Sequence, residues 1–298
     1  MPAASMFRGL TCTYAGFRGY DRIGDRDLQA IGLTGADQMV ELYDEGARQI
    51  PLGEFTLRGP DNFRGVATED RPSGRYIGAV DNIYTAVQIL WRAYDATGET
   101  QFRDVAVSHA DRHLDWYVRP DGSTWHHAVF NPDTGDLQYQ YNELAHSDET
   151  CWARGQGWNV AGLAPEYNAT RAERYLRALE VTTDYYVEHS PEDLVPYWDF
   201  EAPAIPNAPR DTSAAGLAAY GLLSLDGGSD ATAELRRTGG AILSLIVDDY
   251  LVLDPTDDRH GMVTHSCYNK PGEYVTEHET IWTDYYVAAA IDVALAGC

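Results

Sequence analysis

The densest chemistry in the chain lies in Asp148-Glu149-Thr150-Cys151-Trp152-Ala153-Arg154-Gly155-Gln156-Gly157-Trp158. Two acids and a threonine precede an apolar run, which predicts a helix start with capping groups. Trp152, Arg154, Gln156 and Trp158 then crowd into two turns. Two indoles, a guanidinium and an amide suit a sugar acid, because indole faces stack on the ring and Arg offers a fork of donors to a carboxylate. The same residues would also serve as a buried Trp pair with a snorkelling Arg. Asp81 is the candidate for proton transfer, since it precedes an otherwise apolar helix start (Ile77, Val80, Ile83, Tyr84). The plainer role for such an Asp is an N-cap, and a general acid would need burial to outweigh the pull of the helix dipole. His126, in Asp121-Gly122-Ser123-Thr124-Trp125-His126-His127, could orient a substrate or help move a proton.

The elements that must position these groups are helical hairpins. Apolar spacing predicts pairs at 7–23 with 28–50, 77–97 with 102–118, 151–168 with 172–189, and 212–225 with 231–251, and a half pair at 279–295. In the second pair, Val80, Ile83, Tyr84, Val87, Leu90, Trp91 and Tyr94 follow the i, i+3, i+4, i+7 rule. Strand alternation is absent except for short pairs in the long connections. Recurring hairpins predict a solenoid or closed toroid in which each unit buries its face on its neighbours. The expected architecture is therefore all-α, an (α/α) toroid forming a single domain over 1–298. The connections between hairpins (119–148, 190–210 and 252–277) are long, and such loops are usually functional. They carry Trp125, His126, His127, Trp198, Asp199, His265, Tyr268 and Lys270. If the first helices run parallel, their starts share one rim with these loops.

The 298 residues carry a formal charge of −24, which excludes a general nucleic-acid surface because phosphates would be repelled. An anionic ligand would need local positive charge, from helix N-termini and from Arg154, Arg210 and Lys270. No run approaches the roughly 20 apolar residues of a membrane span, so no membrane partner is expected. Residues 1–9 lack the pattern of a signal peptide. Cys12, Cys151, Cys267 and Cys298 lie far apart with no Cys-x-x-Cys, which predicts reduced thiols and a cytoplasmic location. No phosphate-binding glycine loop, nucleophile elbow or metal-ligand spacing is present, so neither a metal nor a cofactor is expected.

Several stretches together resemble a known family. They are Val80-Asp81-Asn82, the Asp121 to His126 loop, Trp152-Ala-Arg-Gly-Gln-Gly-Trp158, Pro196-Tyr-Trp-Asp-Phe200, Arg210-Asp-Thr-Ser213, His265-Ser-Cys-Tyr268 and Trp282-Thr-Asp-Tyr-Tyr286. In order, from about residue 5 to the end, they are similar to the unsaturated glucuronyl hydrolases of glycoside hydrolase family 88, with the unsaturated rhamnogalacturonyl hydrolases of family 105 as cousins. The resemblance implies a six-hairpin (α/α) toroid that acts on 4,5-unsaturated uronic acids at the non-reducing end of lyase products. The implied reaction is hydration. An Asp protonates C4 of the enol ether, water adds at C5, and the hemiketal falls apart to a keto-uronate and a shortened sugar, unlike the two-carboxylate scheme of ordinary glycosidases. By resemblance Asp81 is that Asp and His126 a substrate-side histidine. Asn82, Trp152, Arg154, Gln156 and Trp158 line the sugar site, and Tyr268 lies in a stretch that helps close it.

The sequence departs from the family pattern in three places. Met6-Phe7-Arg8-Gly9-Leu10 stands where the family carries a second Asp in a His-Asp-x-Gly-Phe stretch, with Phe7 near its place. Leu144 stands nearest to a family Gln. About four and a half hairpins are present where six are expected, so an incomplete toroid could expose apolar faces for a partner chain, including a second copy in a homo-oligomer. The leading expectation is a hydrolase of unsaturated uronyl oligosaccharides. A non-catalytic carbohydrate-binding toroid and a sugar epimerase or lyase, with His126 and His265 as a facing pair, are the alternatives.

Overall fold

A left-handed residue that only glycine adopts cheaply ends two of the hairpins' first helices, Gly24 at φ 72° and Gly98 at φ 74°. The computed structural model describes residues 5–53 and 73–296; Cys298 lies outside them. These residues fall into two compact units, Met1–Tyr117 with His127–Tyr141, and Val118–His126 with Asn142–Cys298. Each is a set of helical pairs.

In the first unit α1 (Phe7–Cys12) runs through a π-helical turn (Thr13–Phe17) into α2 (Arg18–Ile23). Gly24 reverses the chain, Asp25 accepts from the amide of Asp27 at 2.9 Å, and α3 (Arg26–Leu42) follows. This helix ends eight residues before the predicted limit of Ile50. Residues 44–49 instead close a turn in which Asp44 and Gln49 exchange backbone hydrogen bonds. The second pair is α4 (Asn82–Thr97) and α5 (Thr100–Tyr117). The predicted apolar stripe of α4 is buried at Val80, Ile83, Tyr84, Val87 and Leu90. The core of the unit joins Phe17, Met39, Ile50, Ile89, Leu90 and Phe102.

A small antiparallel sheet also belongs to this unit, with β1 (Ile77–Ala79), β2 (His127–Phe130) and β3 (Leu137–Tyr141) in that order. Gly78 faces Ala128, and Val129 faces Tyr139. The β2–β3 pair lies in the 119–148 connection, one of the long connections where short strand pairs were the expected exception, whereas 77–79, expected to open a helix, forms a buried strand that does not alternate.

The second unit holds α6 (Ala153–Thr170) with α7 (Glu173–His189), α8 (Thr212–Leu223) with α9 (Asp230–Asp249), and α10 (Ile281–Ala296). All five helices start and stop close to the predicted positions. Helix α8, Thr-Ser-Ala-Ala-Gly-Leu-Ala-Ala-Tyr-Gly-Leu-Leu, is buried along nearly its whole length. Its small side chains let α6, α9 and α10 all pack on it. The expected 252–277 connection is a tightly paired loop, with bridges Leu251–Val263, Ser266–His278 and Asn269–Tyr274.

Candidate active site

Helix α6 begins at Ala153, two residues after the predicted start at 151. Its N-cap is Trp152, which makes no side-chain cap bond, and the amide of Ala153 donates to the Trp198 carbonyl at 3.1 Å. The predicted capping groups act elsewhere. The Thr150 hydroxyl donates to Asp199 Oδ2 at 2.7 Å, and Asp148 Oδ1 accepts from the amide of Asn142 at 2.9 Å. Asp199 also accepts from the amides of His146 and Glu201, both at 2.8 Å, and burial pushes its carboxyl above the ordinary range. The neighbouring 196–199 segment thus supplies the partners that α6's first turn lacks.

Arg154 follows Trp152, and its guanidinium is almost wholly buried. Its Nη1 donates to Asp211 Oδ2 at 3.2 Å, to Ser213 Oγ at 3.2 Å and to the Cys267 carbonyl at 2.5 Å, and its Nη2 donates to the Tyr268 carbonyl at 2.6 Å. The Trp152 ring lies 4.6 Å from it and the Tyr268 ring 5.4 Å. Trp152 also meets the His126 ring at 4.5 Å. The second unit therefore brings together His126, Trp152, Arg154 and Tyr268. The loop around Cys267 joins three helix starts: Arg154 of α6 and Asp211 of α8 both bond to it, while Asp284 of α10 accepts from the amide of Val263 at 2.8 Å.

His126 has a defined polarity. Its backbone amide donates to Asn142 Oδ1 at 2.6 Å, and its Nδ1 accepts from the amide of Leu144 at 3.4 Å. In the neutral ring, Nε2 then carries the proton. Leu144 thus meets His126 through its backbone. Tyr268 is 41% exposed, with Trp282 at 5.5 Å and Tyr274 at 5.9 Å. Trp158 lies further along α6, its ring edge-on to Tyr286 of α10 at 5.5 Å, so the two indoles do not form one sandwich.

Several expectations need correction. Gln156 is fully buried, and its Nε2 donates to the carbonyls of Gly122 at 2.7 Å and Thr182 at 2.9 Å. It braces the 118–126 loop against α7 and has no Nε2 proton left for a sugar. Asn82 is likewise buried, and its Nδ2 donates to the Ile50 carbonyl, so it braces the first unit rather than lining a site. Arg210 is not a loose cation either. It pairs with Asp193 through both nitrogens, at 3.0 and 2.9 Å, and Lys270 binds both oxygens of Glu273, at 2.7 and 2.8 Å. With Arg154 paired to Asp211, none of the three expected charges stands uncompensated. His265 is exposed, with its Nδ1 on Thr264 Oγ1 at 2.8 Å and its ring edge-on to Tyr250.

Asp81, in the first unit, is the N-cap residue of α4, yet its side chain makes no cap bond to that helix. Its backbone carbonyl accepts from the amides of Tyr84 and Thr85 at 3.1 and 3.2 Å, which leaves the carboxyl group outside the helix's own hydrogen bonding. It lies near enough to the buried Tyr117 phenol to act on it. Burial pushes Tyr117's pKa up, and the charges of Tyr141 and Asp81 push it further the same way. Phe7, at the place of the missing family Asp, is the first residue of α1 and is 41% exposed.

Asp211 was the functional residue least visible in advance. It read only as part of a helix start, and it does cap α8, accepting from the amide of Ser213. Its hold on Arg154 depends on a residue 57 positions away, which no local pattern announces.

No family model matches the chain. It is 31% identical over 214 residues to an unsaturated glucuronyl hydrolase of Formosa agariphila, covering 71% of this chain and 53% of that protein. It is 28% identical over 300 residues to the unsaturated glucuronyl hydrolase of Bacillus sp. strain GL1, covering 95% of this chain and 78% of that one. The crystal structure of the Bacillus enzyme superposes with a TM-score of 0.84 at 24% identity, over 97% of this chain and 74% of that chain. The unsaturated glucuronyl hydrolase of Streptococcus agalactiae gives 0.81 at 26% identity, over 97% and 70%. The chain thus spans about half the length of the first relative and three quarters of the second. The fold class is all-α, that of the (α/α) toroid glycosidases. By sequence and by fold the chain is similar to the unsaturated glucuronyl hydrolases, the resemblance its motifs had implied.

Proposed function

We propose that the chain hydrolyses 4,5-unsaturated uronyl oligosaccharides, the products of polysaccharide lyases, by hydrating the enol ether. The observation that carries this reading is Arg154, a buried guanidinium beside the Trp152 and Tyr268 rings with Nε and one Nη2 proton unclaimed among the described residues. Those two protons form one edge of the guanidinium, suited to a carboxylate, and the flanking rings suit a sugar. His126, with its proton on Nε2, donates to a substrate oxygen. Asp81 protonates C4. Water then adds at C5, and the hemiketal opens to release the keto-uronate and the shortened sugar. The relatives' names carry the same chemistry, since they are unsaturated glucuronyl and unsaturated chondroitin disaccharide hydrolases. The unpaired thiols of Cys12, Cys151 and Cys267 support an intracellular location for the reaction.

Phe7, standing where the family has an acid, favours a second reading as a carbohydrate-binding protein without catalysis. One assay separates the two. The chain is mixed with lyase digests of several acidic polysaccharides while the absorbance of the unsaturated uronate is followed. Loss of absorbance that disappears in Asp81→Asn is the expected result. Undiminished absorbance with every digest, together with calorimetric binding of a fragment, would replace the enzyme by the binding protein.

A further inference from the structure

We infer that Asp211 is a positioning residue for ligand binding. It locks the Arg154 guanidinium so that a single edge is presented to a substrate carboxylate. This rests on the uronide reading above and adds to it the residue that sets affinity.

Asp211 is completely buried, and four donors converge on it. The amide and hydroxyl of Ser213 reach Oδ1 at 3.1 and 2.5 Å, the Cys267 amide reaches Oδ1 at 3.2 Å, and Arg154 Nη1 reaches Oδ2 at 3.2 Å. The two oxygens divide the work. Oδ1 joins α8 to the Cys267 loop, and Oδ2 takes the guanidinium. Ser213 Oγ reinforces the clasp, since it donates to Asp211 and accepts from Arg154. With the Cys267 and Tyr268 carbonyls, Nη1 and half of Nη2 are occupied. The Trp152 and Tyr268 rings lie 4.6 and 5.4 Å from the guanidinium carbon.

The electrostatic consequence follows from the pairing. A buried Arg with its counter-charge attached has little net field to offer, and the protein's overall charge of −24 repels an anion. Attraction then depends on correctly aimed donors rather than on free charge, so affinity is sensitive to whatever aims them. Asp211 is that group.

Asp211→Asn isolates the claim, because Asn is as good an N-cap as Asp and keeps an acceptor for Ser213 and Cys267. Only the Arg154 arm is lost, where an NH₂ now meets Nη1. In the folded variant, confirmed by near-ultraviolet circular dichroism, KM for an unsaturated uronyl disaccharide should rise about tenfold, with kcat changing less than about threefold. In arginine-labelled protein, the separately resolved Nη protons of Arg154 should merge as the guanidinium begins to rotate. Asp193→Asn makes the same change at the Arg210 pair and should leave KM unaltered. Ser213→Ala, which keeps both charges, should raise KM about threefold and serves if Asp211→Asn does not fold.

An unchanged or lowered KM in folded Asp211→Asn overturns the inference, as does an equal rise in Asp193→Asn. If the wild type consumes no unsaturated uronide, the hydrolase reading fails on its own. The same variants are then compared by calorimetric binding of the disaccharide, where equal affinity of wild type and Asp211→Asn overturns the positioning role.

Discussion

Two helix starts that look alike in sequence use their acids in opposite ways. At α4, Asp81 occupies the N-cap position but leaves the helix uncapped, while its neighbour Asn82 turns inward to Ile50. At α8, Asp211 caps its helix and also holds a buried Arg. An acid that does not cap its own helix is the one proposed above to react, whereas one with four donors converging on it acts as a structural clasp. The contrast separates the residue proposed to react from the residue that aims another.

The sharpest break of that comparison is Asp81→Asn. If Asp81 donates the proton, turnover of unsaturated uronides should fall by roughly 10²- to 10⁴-fold with little change in stability, measured as initial rates beside thermal melts. A stability loss with retained turnover would make Asp81 the clasp and reverse the contrast. Arg154→Leu should do both kinds of damage. It removes the carboxylate donor and leaves Asp211 buried without its counter-charge, costing about 3–5 kcal/mol in denaturant unfolding.

The next effect is read in acid. His109 of the first unit is fully buried, with Nδ1 accepting from the Ile50 amide at 3.3 Å, and burial pushes its pKa from 6.5 down to about 4. The unfolded chain regains the ordinary value, so between these two values the unfolded state binds the extra proton. Stability is therefore full above about 6.5 and falls as pH drops toward 4, by a total on the order of 3 kcal/mol. Melting curves across that range should show the loss, and His109→Asn should flatten it. Substitution of Gln156 by Leu should cost about 1–3 kcal/mol by leaving the Gly122 and Thr182 carbonyls without their donor, while KM stays put in the folded variant. The smallest change is expected at Arg210→Gln. Its pair with Asp193 is about one fifth exposed, so about 1 kcal/mol or less should be lost and KM should hold.

Much of the fold was legible in the sequence because helix periodicity is local. The stripe from Val80 to Tyr94 and the glycine stops at Gly24 and Gly98 mark their helices without reference to anything distant. The buried strand Ile77–Ala79 was not legible and read as a helix start, since a strand covered on both faces has no alternation to read. In the site, Trp152, Arg154 and His126 were visible as residue types, and the structure places them side by side. Gln156 and Asn82 belong to the same motifs yet prove to be internal braces.

By itself the sequence determined the helical pairs, the net negative charge and the cluster of aromatic and basic side chains that carried the family resemblance. Only the tertiary structure decided which polar atoms remain available. Arg154 finds its acceptors 57, 59, 113 and 114 positions away, and together those bonds occupy Nη1 and half of Nη2, which a ligand can no longer use. Side-chain chemistry is written residue by residue, but hydrogen-bond satisfaction inside a protein is set by whatever the fold brings within about 3 Å.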